Sequence, residues 1–175
     1  SELKKVLDHY QNQPEKLKAA RFLIANIPAH RTYVGKEIDS LKQMKKESIQ
    51  QGRISDEIVT HWKSFDYSSS QVVKDIDVIK ADILIENIDL AFETWEKRSW
   101  SKQYSFEDFC EYVLPYRIGD EPLEKWRRIY YERYSPVLDS LYQGNDVVEA
   151  ARVMANYLKE EGFTNHTDFN LPHLG

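Results

Sequence analysis

The chain has 175 residues, 30% of them charged, and a net charge of −5. That length suits one domain with a real core. An acidic balance argues against non-specific binding to nucleic acid or to an anionic membrane, both of which want a basic surface. A single cysteine excludes an internal disulfide and a Cys-rich zinc site. Six glycines and six prolines leave too few turn formers for a many-stranded sandwich or barrel, and no apolar run approaches the roughly 20 residues that span a bilayer. No targeting signal is legible.

Helical patterns begin at once. Leu3, Val6, Leu7 and Tyr10 recur at i, i+3, i+4 and i+7, which predicts a short first helix. Pro14 suits the first turn of a second helix carrying Leu17, Ala20, Ile24 and Ile27. Pro28 drives its predecessor out of the α region, so that helix should stop at Ile27 and residues 29–35 read as a loop. A third helix is expected over 36–51, with Ile38, Leu41 and Met44 inward and Gly52 as its C-terminal stop. Its outer face mixes Lys36, Lys42, Lys45 and Lys46 with acids, and reads as a solvated surface. Ser55 would cap a fourth helix with Ile58, Val59, Trp62 and Phe65 on its apolar stripe. The run Ser68-Ser69-Ser70 is a loop. Residues 72–79 fit both a strand and a helix, and we read them as extended chain.

The strongest pattern covers 81–95. Ala81, Leu84, Ile85, Ile88, Ala91, Phe92 and Trp95 share one face, and acids take the other. This helix should form the centre of the core. Ser105 with Asp108 has the spacing of a capping box, flanked by Tyr104 and Phe109 as a hydrophobic staple. The short helix so started carries Phe106, Phe109, Cys110 and Val113 and ends before Pro115. A loop follows to Pro122, then a helix with Leu123, Trp126, Tyr130 and Tyr134. Pro136 is expected to break that helix, with Ser135 capping a new one. Asn145 would cap the last helix, burying Val147, Ala151, Met154 and Leu158, and Gly162 would stop it. The fold class read from these patterns is all-α, an irregular bundle of about seven to nine helices with one short extended segment near 72–79. Residues 1–162 would form the helical domain.

Residues able to carry chemistry are few. Cys110 is the one candidate thiol nucleophile, but it lies inside a predicted helix on the apolar side, and free cysteine is among the most buried residue types. A stand-alone thiol hydrolase built on it is the weakest functional reading. The five histidines lack the spacing that seeds a metal site, and no glycine-rich phosphate loop exists, so neither metal nor cofactor is expected. The compositional oddity is aromatic: 4 Trp, 11 Tyr and 7 Phe, concentrated between 95 and 134. These make either an aromatic core or a groove for a peptide or glycan. Arg117 and Glu121 share a proline-bounded loop, where they either pair to fix its geometry or line a cleft.

The segment 105–126 reads SFEDFCEYVLPYRIGDEPLEKW, residues 81–95 read ADILIENIDLAFETW, and 168–175 read DFNLPHLG. Together they resemble the N-terminal helical region of bacterial transglutaminase-like proteins, most specifically over LPYRIGDEPLEKWR. The resemblance implies a papain-like catalytic core, with a Cys-His-Asp arrangement, lying beyond the closing segment. Residues 163–175 would be the connector into that core, and no residue of this chain would inherit a catalytic role. It further implies that the chain packs on its own downstream catalytic domain, with a periplasmic or cell-surface location. Tyr116, Arg117, Glu121, Trp126 and Tyr130 are the candidate binding residues, as one wall of the substrate cleft or, alternatively, as part of an independent peptide- or glycan-binding surface. No nucleic-acid partner and no transmembrane segment are expected.

Overall fold

The computed structural model describes residues 1–51, 60, 64, 70–117 and 123–160. The expected helix at 55–65 apart from Thr60 and Ser64, the Ser68–Ser69 part of the serine loop, the stops at Gly52 and Gly162, Glu121 and the closing segment lie outside them. The fold is all-α: eight α-helices and one two-stranded ribbon among the described residues. The chain divides into two compact units, the first made of Ser1–Thr32 and Val73–Arg128, the second of Tyr33–Val72 and Ile129–Gly175.

The first unit holds the main core. Helix α1 (Glu2–His9) is capped by the Ser1 hydroxyl, which accepts from the Lys4 amide. Helix α2 (Pro14–Asn26) starts on Pro14, as a residue without an amide hydrogen can. Pro28 does not send the chain straight into a loop. A single 3-10 turn, Ile27–Ala29, follows instead. After the short helix α4 (Asp75–Val78) comes α5 (Ala81–Lys97), whose Leu84, Ile88, Ala91 and Phe92 are buried against α1 and α2. Fully burying each of the larger side chains is worth about 1.5–3 kcal/mol.

Both ends of α5 are satisfied from a distance. Glu2 accepts from the Ala81 amide at 2.9 Å, standing in for a cap that Lys80 cannot provide, and this bond holds its carboxyl below the usual range. At the other end the Ser101 hydroxyl has the carbonyls of Thr94, Trp95 and Arg98 within reach.

Helix α6 (Phe106–Asp108) opens as the capping pattern predicted, with Ser105 Oγ accepting from the Asp108 amide at 3.0 Å. It then widens into a π-turn, Phe109–Val113, which local pattern did not reveal. Phe109 packs edge-on to Phe92 (4.9 Å) and stacked on Trp95 (4.5 Å). Phe92, Trp95 and Phe109 thus belong to the core, whereas Tyr112 of the same turn is exposed.

The loop expected at 29–35 is in fact strand β1 (Arg31–Val34), paired with β2 (Gln71–Lys74). Just beyond the strands, Asp75 N–H donates to His30 C=O at 3.1 Å, which sets them antiparallel. The extended reading of 72–79 therefore holds only to Lys74; Asp75–Val78 is a helical turn. Pairing between segments some 40 residues apart has no local signature.

In the second unit, α3 (Lys36–Gln51) matches the expected helix, with Ile38 and Leu41 buried. Helix α7 (Trp126–Leu141) begins in the first unit and runs through Pro136 without the predicted break. Pro136 is exposed, and the helix continues past it to Leu141. Helix α8 (Val147–Glu160) is capped by Asp146 and not by Asn145: the Asp146 carboxylate accepts from the Val148 amide at 2.8 Å. Ala150 is its buried alanine, while Ala151 faces out.

Candidate functional site

The loop that follows the π-turn brings three of the predicted residues into view. Its geometry begins with an energetic problem. A helix leaves its last carbonyls without internal partners, and Pro115 ends this one. The carbonyls of Val113, Leu114 and Pro115 are taken by two side chains. Asn87, from the buried face of α5, donates to Leu114 O at 2.7 Å. Arg127, one residue into α7, donates to Val113 O at 2.7 Å and Pro115 O at 3.2 Å, and its Nε donates to Asn87 Oδ1 at 2.9 Å. Burial pulls the Arg127 guanidinium down to about 10, so at neutral pH it stays charged and its charge meets the negative end of the helix.

Tyr116 and Arg117 turn inward from there and meet Asp75. Arg117 NH1 lies 2.7 Å from Asp75 Oδ2, with side-chain exposures of 3% and 0%. The same nitrogen donates to the Arg31 carbonyl at 2.8 Å, and Tyr116 donates its hydroxyl to Asp75 Oδ2 at 2.8 Å. Burial, then the bond to the Asp75 carboxylate, raises the Tyr116 phenol well above its ordinary range. His30 packs edge-on to the Tyr116 ring at 5.7 Å. The other oxygen, Asp75 Oδ1, is buried with no hydrogen-bond partner. Arg117 thus belongs to a buried ion pair with Asp75; the pairing weighed from the sequence was with Glu121, which lies outside the described residues.

Trp126 fixes the loop from outside. Its Nε1–H donates to Tyr116 O at 2.6 Å, and Arg127 lies over its ring at 4.8 Å. Beside it is a cavity of about 10 Å³, lined in part by Ile83, Glu86, Asn87, Lys125 and Trp126, with room for about one water molecule. At its rim Lys125 pairs with Asp82 (2.8 Å), and Arg128 pairs with Glu86 (2.9 Å).

Cys110 is 4% exposed inside the aromatic core, and burial together with the nearby Glu107 charge pushes its thiol up to about 11. A nucleophilic thiol needs the opposite, a lowered pKa and access. Among the described residues no group of three or more His, Cys, Asp or Glu side chains is placed to hold a metal ion, and no helix is long and apolar enough to cross a membrane.

Of the five predicted binding residues, Tyr116 and Arg117 are brought together in the interior, and Trp126 sits half-buried against them. Tyr130 belongs to the second unit, 36% exposed and stacked on Tyr134 at 6.1 Å. Sequence reasoning missed Asp75, Asn87 and Arg127. Asn87 could have been found: it falls three residues after Leu84, on the apolar side of an otherwise hydrophobic stripe, where an amide must have a partner. Comparison with protein-family models, curated proteins and solved structures found no match.

Proposed function

We propose that this chain is the non-catalytic helical region of a transglutaminase-like protein, packing on a downstream core that performs thiol acyl transfer. One observation carries the reading: the chain's lone thiol is walled into the core. Acyl transfer of this kind needs a thiolate, a base within hydrogen-bond reach and donors for the oxyanion. Cys110 is 4% exposed with its thiol raised to about 11, which opposes the first requirement. The segment bearing the family resemblance is internally bonded, with Arg117 on Asp75 and Arg127 on three acceptors. That use of polar groups suits a scaffold. The same resemblance implies a periplasmic or cell-surface location.

The test has two arms. The purified chain should give no amide or ester turnover above background; turnover abolished by Cys110→Ser overturns the reading. The region that follows residue 175 in the reading frame, produced separately, should bind this chain saturably by calorimetry. Absence of binding, or a frame without a Cys-bearing core, also overturns it. Peptide or glycan titrations that shift tryptophan fluorescence would favour an independent binding module instead.

A further inference from the structure

A ribbon of two four-residue strands is marginal on its own, and here β2 is mostly solvent-facing, with Gln71, Val72 and Lys74 exposed. Something else must hold it. Its root lies where the chain leaves the first unit after Thr32 and returns at Val73. At that root four polar contacts converge. Asp75 N–H donates to His30 C=O at 3.1 Å, Arg117 donates to Arg31 C=O at 2.8 Å, and Asp75 Oδ2 receives both Arg117 (2.7 Å) and Tyr116 (2.8 Å). Arg31 sits in a position whose carbonyl points away from the partner strand, so it is free for Arg117. The closed arrangement is not relaxed throughout, because Asp75 Oδ1 is buried without a donor. Buried polar atoms are almost always paired, and opening would hydrate this one. Asp75 and Arg117 lie outside the hydrophobic cluster of Val6, Ala20, Leu23, Leu84 and Ile88, and Tyr116 gives its ring to that cluster and only its hydroxyl to Asp75.

We propose that Asp75, Tyr116 and Arg117 form a polar latch on the root of the β1–β2 ribbon, able to open while the hydrophobic core of the first unit stays folded. The latch controls how firmly the two strands are held together at their root. It stands independently of the transglutaminase-like reading.

Hydrogen exchange on the full chain tests it. In Asp75→Asn, amides of 30–34 and 71–75 should exchange at least tenfold faster than in the unaltered chain, while those of 84–92 change less than twofold. Tyr116→Phe removes one hydroxyl and should give the same pattern more weakly. It decides the matter if Asp75→Asn fails to fold. Equal acceleration in both regions would mean the cluster serves global stability only, and unchanged exchange at the ribbon would mean it fastens nothing. Either result overturns the proposal.

Discussion

Replacing Arg127 with methionine keeps an unbranched apolar stem and removes every donor. Three acceptors lose their partner: Asn87 Oδ1, Val113 O and Pro115 O. Hydrogen bonds from a charged group are worth about 1.5–3 kcal/mol each, an upper range of about 5–9 kcal/mol for three. Against this stands the desolvation that pulls the guanidinium from 12.5 to about 10, a penalty of about 3 kcal/mol at 1.36 kcal/mol per pKa unit, and methionine escapes it. The net expectation is a loss of about 2–6 kcal/mol, read from urea unfolding at pH 7. Asn87→Ala alone should remove about 1–3 kcal/mol, since it frees the Leu114 carbonyl and one Arg127 donor. Because the two residues share a bond, the double variant should lose less than the sum of the single losses, with a coupling of at least about 0.5 kcal/mol. An Arg127→Met loss under about 1 kcal/mol, or strict additivity with Asn87→Ala, would refute the view that these side chains jointly terminate the π-turn.

Alkaline titration should expose the buried hydroxyls and the thiol. Folding raises Cys110 to about 11 and lifts Tyr10 and Tyr116 above their ordinary 10. Below pH 9 these groups are protonated in both states and stability is intact. Above it the unfolded chain releases protons that the folded chain retains, so stability falls by up to about 1.4 kcal/mol per pH unit for each group. The urea midpoint should decline from pH 9 to 11, and Cys110→Ala should flatten the first part of that decline; a level midpoint contradicts the burial of these groups. Asp146→Ala should destabilise by about 0.5–2 kcal/mol as a lost helix cap, and Asn145→Ala by much less. Thermal or urea unfolding of the pair tests which residue caps α8, and a reversed order would return the cap to Asn145. Leu84→Ala should remove about 2–5 kcal/mol, since Leu84 is wholly buried in the main core, and a loss below about 1 kcal/mol would mean that α5 is not central.

Much of the helical frame was legible because helices are local. The stripe of 81–95, the proline start at Pro14 and the capping pair at Ser105 each lie within a few residues, and each appears in place. Features joining distant segments stayed hidden. The ribbon pairs 31–34 with 71–74, and the Asp75–Arg117 bond closes 42 residues. Nothing near Arg117 in sequence announces Asp75, and the acid considered with it was Glu121 in the same loop, which lies outside the described residues. The Pro136 expectation failed for a different reason. Local rules treat a mid-helix proline as a break, yet at an exposed position the helix runs on to Leu141. At the site, the kinds of residue were visible in advance and their orientation was not: Tyr116 and Arg117 read as a candidate cleft wall, and their tips are engaged in the interior.

The π-turn at Phe109–Val113 has a geometric consequence for the loop beyond it. A turn of this type holds one residue more than the α-helical equivalent. Removing a single amino acid between 110 and 113 would turn the bond from Leu114 N–H to Phe109 C=O from i→i+5 into i→i+4 and keep Leu114 through Arg117 in phase, whereas removing a second would swing them by about 100° around the axis, at 3.6 residues per turn. Arg117 would then point away from Asp75, and the carbonyls would miss Asn87 and Arg127. Shortening the segment by one should therefore be absorbed, and shortening it by two far more damaging than replacing any residue within it: the spare residue is the only slack in its length.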